Sequence, residues 1–487
     1  MAILHTLKEK GMPLDMDTLP TDRKLKKPNR AWVRPFEEGA GARYQQIARQ
    51  IVNAVKDGVL RPGDRLPPQR DLAQAMGVDL TTVTRAYSEV RLAGLLDAHG
   101  AGGTFIATSA VDRERTVDLG MNIPPLLASP SFARLMESGL AQVRHQLGGG
   151  ELMSYHVGAG SRGDREAAAT WLEPALGRVN ADRVVVCPGA QSALAALLLT
   201  RSQPGDTVVT DSLTYPGFLA AARFLQRNVV QVGADPDGML PDELDKVCKK
   251  NRPSLIYLVP SIHNPTAITM PAQRRHDIYA VASRHQIAII EDDPYWLLAG
   301  DAPPPLAALQ PSGKGAPVFY LSTLSKCLAP GLRTAYLVAP PSEPLEPILD
   351  ALRSITLMTP QAMVSMATHW IRSGAAREML QKIQQEMGKR QKLAAHILPG
   401  IQGFHPHGLH LWLALPPKLD QYRLIQTAQE QDLGIASSEA FSVADVTPNA
   451  LRVSLGGAVD QASLKTALEK LADILANGRN QRMAVIV

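Results

Sequence analysis

From about residue 117 onward the chain alternates strand-like and helix-like segments, and this alternation restricts it to an α/β architecture built on a largely parallel sheet. Five runs read as strands: residues 183–187, 207–210, 255–259, 287–290 and 318–321. In open α/β sheets, ligand groups collect at the carboxyl ends of strands, so chemistry is expected just after each run.

The residues at those positions are polar and specific. Pro188-Gly189-Ala190-Gln191-Ser192 leads from the first run into a helix. It reads either as a tight strand-to-helix turn or as an anion site formed by exposed backbone N–H groups at a helix N-terminus. After the second run, Tyr215-Pro216-Gly217 places an aromatic ring on a turn, and after the third comes the polar loop His263-Asn264-Pro265-Thr266. The fourth ends in Glu291-Asp292-Asp293-Pro294-Tyr295, and the fifth in Ser322-Thr323-Leu324-Ser325-Lys326, with Arg333 beyond. Singly, each reads as a turn, a cap or an ion pair. In this order they supply a lysine for a Schiff base, an anion cup, a flat ring, hydrogen-bond donors and a carboxylate, which is what pyridoxal phosphate chemistry requires.

The first hundred residues follow another pattern. Over 42–60, Tyr44, Ile47, Ile51, Val52 and Val55 recur at helical spacing, and Arg61-Pro62-Gly63-Asp64 breaks the run. Pro67-Pro68 opens a second helix over 69–76, which Gly77 closes in the position a C-cap wants. Asp79 is placed to cap a third helix, whose stripe Val83, Ala86, Tyr87 and Val90 leaves Thr81, Thr82, Thr84, Arg85 and Ser88 largely outside it. Runs 95–99 and 104–107 flank Gly100-Ala101-Gly102-Gly103, a two-stranded hairpin with a glycine turn. Three helices and a hairpin make a winged helix-turn-helix, whose third helix would enter a DNA major groove while the glycine tip approaches phosphates. The plainer alternative is a small three-helix module.

A chain of 487 residues exceeds one compact core, so two or three units are expected. The boundaries read as a basic flexible leader over 1–31, a DNA-binding unit over 32–108, a short linker over 109–116 and a large unit over 117–487. Charge follows this division: residues 1–108 carry 16 Lys/Arg against 12 Asp/Glu, the remainder 35 against 34. A basic front permits contact with an acidic polymer. With 45% hydrophobic and 20% charged residues, a mostly disordered, collagen-like or coiled-coil chain is excluded. Cys187, Cys248 and Cys327 are too scattered for a disulfide framework or a cysteine zinc site. The longest apolar stretch, residues 193–199, is far short of the roughly 20 residues of a membrane span, and no signal-peptide pattern is present. A cytoplasmic location and no membrane association are expected.

The run RPGDRLPPQRDLAQAMGVDLTTVTRAYSEVRLAGLL, continued by GGTFIA, resembles the DNA-binding domain of the GntR family. The resemblance implies DNA contacts through Arg70, Thr81, Thr82 and Arg85, with Gly102 and Gly103 in the wing. Leu80 stands where family members commonly carry arginine.

Residues 117–487 resemble the fold type I aminotransferases through PGAQSAL, YPGF, HNPT, EDDPYW and STLSKCLAPGLR. That resemblance implies a mostly parallel sheet with flanking helices, a small C-terminal α/β subdomain, and pyridoxal 5′-phosphate as cofactor. It makes Lys326 the Schiff-base lysine that also moves protons, and pairs Asp292 with the pyridine nitrogen. Asn264 and Tyr295 bond the ring oxygen, Tyr215 stacks on the ring, and Ala190, Gln191, Thr323, Ser325 and Arg333 cradle the phosphate. Tyr155 resembles the tyrosine that reaches the phosphate from a partner subunit, implying a homodimer. Arg452 resembles the arginine that grips an amino acid's carboxylate. Ala267 replaces the glycine of NPTG, and Ser322-Thr323 replaces a glycine-serine pair, with the Thr323 hydroxyl retained.

A GntR-type winged helix ahead of an aminotransferase-like domain is the arrangement of the MocR subgroup of transcription regulators. It implies a pyridoxal-phosphate-dependent DNA-binding regulator that senses an amine, an amino acid or the cofactor. The alternative is a working aminotransferase, amino acid to 2-oxo acid, with a vestigial DNA-binding domain.

Two further patterns read as structural. Gly158, Gly160 and Gly163 fit G-x-G-x-x-G, but no strand signal precedes them, so a flexible loop is expected and not a dinucleotide site. His405, His407 and His410 lack acidic or cysteine partners and read as satisfied loop histidines, with no metal.

Overall fold

The computed structural model describes residues 31–37, 41–60, 64–92, 96–98, 104–106, 117–127, 130–146, 153–309, 315–417, 419–444 and 447–480. The leader up to Arg30, the linker 109–116 and the wing tip with Gly102 and Gly103 lie outside them. The chain divides into two compact units, Met1–Arg115 and Thr116–Val487.

Among its described residues the first unit holds three helices, α1 (Arg43–Lys56), α2 (Gln69–Met76) and α3 (Leu80–Leu92), then two short antiparallel strands, β1 (Leu96–Ala98) and β2 (Thr104–Ile106). Ile47, Ile51 and Ala54 of α1 pack with Leu72 of α2 and with Val83, Ala86, Tyr87 and Val90 of α3. Gly77 ends α2 at φ +62°, a left-handed conformation that glycine adopts without a Cβ clash, and the amide of Val78 reaches back to the carbonyl of Ala73. The Tyr87 hydroxyl donates to the carbonyl of Pro67 at 2.8 Å, joining α3 to the turn before α2. Arg65 bridges to Phe105, which the sequence did not signal.

The second unit begins with β3 (Val117–Asp118) and contains a seven-stranded sheet of β4 (Val184–Cys187), β5 (Thr207–Asp211), β6 (Asn228–Val232), β9 (Leu255–Leu258), β10 (Ala288–Asp292), β11 (Val318–Thr323) and β12 (Ala335–Val338); β7 (Ala234–Asp235) and β8 (Gly238–Met239) form a separate small hairpin. The sheet order is β4-β12-β11-β10-β9-β5-β6. Only β12 runs antiparallel to its neighbours, so the carboxyl ends of the other six strands lie at one edge of the sheet. β4, β9 and β11 are buried along their whole length, as strands covered by helices on both faces must be, which is why they read as continuous apolar runs.

A second, antiparallel sheet contains β13 (Ile401–Gly403), β14 (His410–Ala414), β16 (Ala436–Ser437) and β17 (Ala450–Ser454), while β15 (Leu433–Gly434) pairs with β3. It forms the small C-terminal subdomain. No described helix is long and apolar enough to cross a membrane.

His405 lies beside Asp301 at 3.6 Å, and the His407 ring approaches the carbonyl of Ala299 at 3.3 Å. His410 is no loop residue. It opens β14, fully buried, because the strand begins one residue earlier than its apolar run suggests. The Gly158–Gly163 segment is an irregular stretch through Ser161 that leads into a helix: Ser161 caps the helix Arg162–Leu176 by accepting from the amide of Asp164 at 3.1 Å.

Candidate functional site

At the carboxyl edge of the large sheet, Ala190, Gln191, Tyr215, Asn264, Asp292, Tyr295, Thr323, Ser325, Lys326 and Arg333 line one cavity of about 110 Å³, with Val259 and Pro294. The fold brings them together because they end strands of the same parallel set or lie in the segments after them.

Lys326 sits in a short helix, Leu324–Cys327, directly after β11, and the Thr323 hydroxyl caps that helix by accepting from the Ser325 amide. The Lys326 amine donates to the backbone carbonyl of Asn122 at 2.5 Å. Burial, and secondly the nearby Arg452 charge, lower its pKa to about 8 against the pull of Asp292. Such an amine loses its proton as pH rises through about 8, well below an ordinary lysine, and its neutral form can act as a nucleophile.

Asp292 closes β10 between two other acids. Side chains alternate along a strand, so Glu291 and Asp293 share the opposite face. Glu291 accepts from the amides of Leu306 and Ala307, and Asp293 accepts from the Ser261 hydroxyl. Asp292 alone lines the cavity. Its Oδ2 accepts from the Tyr257 hydroxyl at 2.7 Å, while its buried Oδ1 has no partner among the described residues. Burial raises its pKa to about 6, opposed by Tyr257 and Lys326.

Asn264 follows β9, and its Oδ1 accepts from Arg452 Nη1 at 2.9 Å, leaving the amide hydrogens of Asn264 for the cavity. Arg452 lies on β17 of the small sheet, its guanidinium 4.8 Å from the Phe441 ring centroid, and it also donates to the carbonyl of Gly120. Tyr295 accepts from Asn122 Nδ2 at 2.9 Å.

The opposite end of the cavity suits an anion. The helix Ala190–Arg201 begins there after Gly189, whose φ is +92°. A Cβ on Gly189 would lie 2.4 Å from Arg333 Nη2, so only glycine lets that guanidinium pack against the turn. Gln191 Nε2 donates to the carbonyl of Gly217 at 2.7 Å, fixing the turn that carries Tyr215. An amine, an unpartnered carboxylate oxygen, an aromatic ring and an arginine beside a helix N-terminus fit a planar nitrogen heterocycle bearing a carbonyl and a phosphate.

Tyr155 is 76% exposed and does not line the cavity. Three contributors were not visible in the sequence as site residues: Tyr257 lay inside an apolar strand run, Asn122 in an unpatterned stretch, and His410 in a histidine cluster. In the first unit, Arg70, Thr81 and Arg85 are exposed and Thr82 is half-buried. The Arg85 guanidinium lies 4.0 Å above the Tyr44 ring, and Leu80 is 41% exposed.

Residues 114–471 match the model for aminotransferase class I and II, and residues 43–106 match that for bacterial regulatory proteins of the gntR family. An uncharacterized HTH-type transcriptional regulator of Bacillus subtilis, YdeF, is 28% identical over 87% of this chain and 92% of its own length. A second, YjiR of Escherichia coli, is 25% identical over 85% of this chain and 94% of its own length. Among solved structures, the kynurenine aminotransferase of Pyrococcus horikoshii shares the fold at TM-score 0.67 and 24% identity, covering 76% of this chain and 92% of its own. LysN, the α-aminoadipate aminotransferase of Thermus thermophilus, does so at TM-score 0.68 and 23% identity, covering 81% and 99%. The chain belongs to the aminotransferase class I and II family and carries a gntR-family helix-turn-helix domain ahead of it, the MocR-like arrangement.

Proposed function

We propose that this protein is a DNA-binding transcription regulator whose large unit, residues 117–487, holds pyridoxal 5′-phosphate and senses a small amine, an amino acid or the cofactor itself. The observation that carries this reading is a helix-turn-helix with an exposed polar third-helix face on the same chain as a cavity with a poised lysine and an unpartnered carboxylate oxygen.

In this reading Lys326 would hold the cofactor covalently, and Asp292 Oδ1 would accept the pyridine N–H. Asn264 and Tyr295 would donate to the ring oxygen, and Tyr215 would cover the ring face. Ala190, Gln191, Thr323, Ser325 and Arg333 would hold the phosphate, and Arg452 would receive a ligand carboxylate. When bound, the cofactor supplies an electron sink conjugated to the ligand's α-carbon. The exposure of Tyr155 supports a role toward a partner subunit in a homodimer. Arg70, Thr81, Thr82 and Arg85 would meet DNA, with the wing glycines Gly102 and Gly103.

The lowered pKa of Lys326 beside Arg452 also favours a second reading, in which the site turns over amino acid and 2-oxo acid. A gel shift on DNA upstream of the gene and its neighbours, with and without pyridoxal phosphate and at fixed salt, tests the first. A specific shift altered by the cofactor is expected. No specific binding in either state, with turnover in a transamination assay, would establish the second.

A further inference from the structure

The buried amide of Asn122 joins three parts of the large unit that are far apart in sequence. It lies on the segment following β3 and is 3% exposed. Its Nδ2 is 2.9 Å from the Tyr295 hydroxyl, just beyond β10, and 2.9 Å from Nδ1 of His410 on β14.

One fixed acceptor sets the direction of these bonds. His410 Nε2 lies 3.1 Å from the carbonyl of His263, which can only accept, so Nε2 carries the hydrogen. Burial, with Arg452 as the next contributor, lowers the imidazole pKa to about 3, so the ring is neutral and Nδ1 is a bare lone pair. One Asn122 amide hydrogen fills that lone pair. The other goes to the Tyr295 oxygen. The tyrosine's own hydrogen has no acceptor among the described residues and is left for whatever enters the cavity that Tyr295 lines.

We propose that Asn122 is a positioning residue: its amide, oriented by His410, commits Tyr295 to donating its hydrogen to the ring oxygen of the bound cofactor. This rests on the pyridoxal phosphate reading of the cavity. Arg452 commits Asn264 in the same way, by occupying its Oδ1. The charged and titratable groups acting on Tyr295 are Arg452, Tyr215 and Asp292, and those on His410 are Arg452, His263 and Lys326. The carbonyl that holds Lys326 belongs to the Asn122 backbone, so side-chain substitution leaves that contact available.

The test uses the full chain loaded with pyridoxal phosphate and follows the pH at which the absorption band of the lysine-bound cofactor changes. A donor to the ring oxygen stabilises the form that has lost the linkage proton, and so holds the midpoint down. Asn122→Leu lets the phenol rotate, and the midpoint is expected to rise by up to about one pH unit. Tyr295→Phe raises it at least as far, and adding Asn122→Leu to Tyr295→Phe then changes nothing more. Where the leucine variant fails to fold, Asn122→Ser carries the same expectation. An unmoved midpoint in a folded Asn122 variant, or additive shifts in the double variant, overturns the proposal. Failure of the unaltered chain to take up cofactor overturns the reading of the cavity and this proposal with it.

Discussion

Tyr257 donates its hydroxyl hydrogen to one oxygen of Asp292 and leaves the other without a partner among the described residues. The Tyr257 ring is held for this by stacking on Phe218, with centroids 4.0 Å apart and planes 2° from parallel. The carboxylate is thereby fixed through Oδ2, while Oδ1 stays available to a protonated ring nitrogen.

Replacing Asp292 by asparagine removes the charge from that bond. Affinity for pyridoxal phosphate is expected to fall about 10–100-fold, the range of a charge-assisted hydrogen bond, measured by absorbance titration. With the carboxyl titrating at about 6, affinity also weakens as pH falls through about 6. In Tyr257→Phe the anion loses a stabilising donor, so this weakening begins at higher pH. An unchanged onset would deny Tyr257 its role.

The amine of Lys326 must be neutral to attack a carbonyl, and its pKa stands at about 8. The rate of covalent cofactor capture is therefore expected to rise with pH through about 8 and then level off. Arg452 opposes the ammonium form, so Arg452→Leu should move this midpoint upward. Rapid-mixing absorbance across neutral to alkaline pH reads both, and a downward shift would contradict the assignment of Arg452's effect.

Much of this site was legible because its parts follow strands. A parallel sheet gathers successive strand ends at one edge, so the order of Gln191, Tyr215, Asn264, Asp292 and Lys326 along the chain already placed them together. Asn122 was not legible, because its place is fixed by contacts with Tyr295 and His410, 173 and 288 residues away, and no local pattern encodes such distances. Tyr257 was hidden for a different reason: within a strand buried on both faces, a tyrosine looks like one more apolar residue until its hydroxyl finds Asp292. Strand β12 was missed because it is a short central strand running against its neighbours, without a motif at its end.

In the first unit, the exposed Arg85 of α3 lies with its guanidinium over the Tyr44 ring of α1. Arg85→Ala should weaken DNA binding and reduce the slope of log affinity against log salt by about 0.9 if Arg85 meets a phosphate. Tyr44→Leu keeps the charge and removes only the ring. It should leave the slope unchanged and cost about 2–5-fold in affinity, the size of an exposed cation–π contact. Equal slopes for the unaltered chain and Arg85→Ala would remove Arg85 from the phosphate contacts.

Gly189 offers the sharpest steric test of the anion end. Its φ of +92° disfavours any side chain, and a Cβ there would meet Arg333 Nη2 at 2.4 Å, so Gly189→Ala must push the guanidinium aside. The expected result is a loss of about 1–3 kcal/mol in stability together with a cofactor affinity at least about tenfold weaker. Arg333→Lys separates the two effects. It relieves no strain and creates none at Gly189, but replaces a planar fork with a point charge, so affinity should fall while the denaturation midpoint of the cofactor-free protein holds. If Gly189→Ala destabilises the chain without weakening inorganic phosphate or pyridoxal phosphate binding, the turn is structural and the anion is held elsewhere.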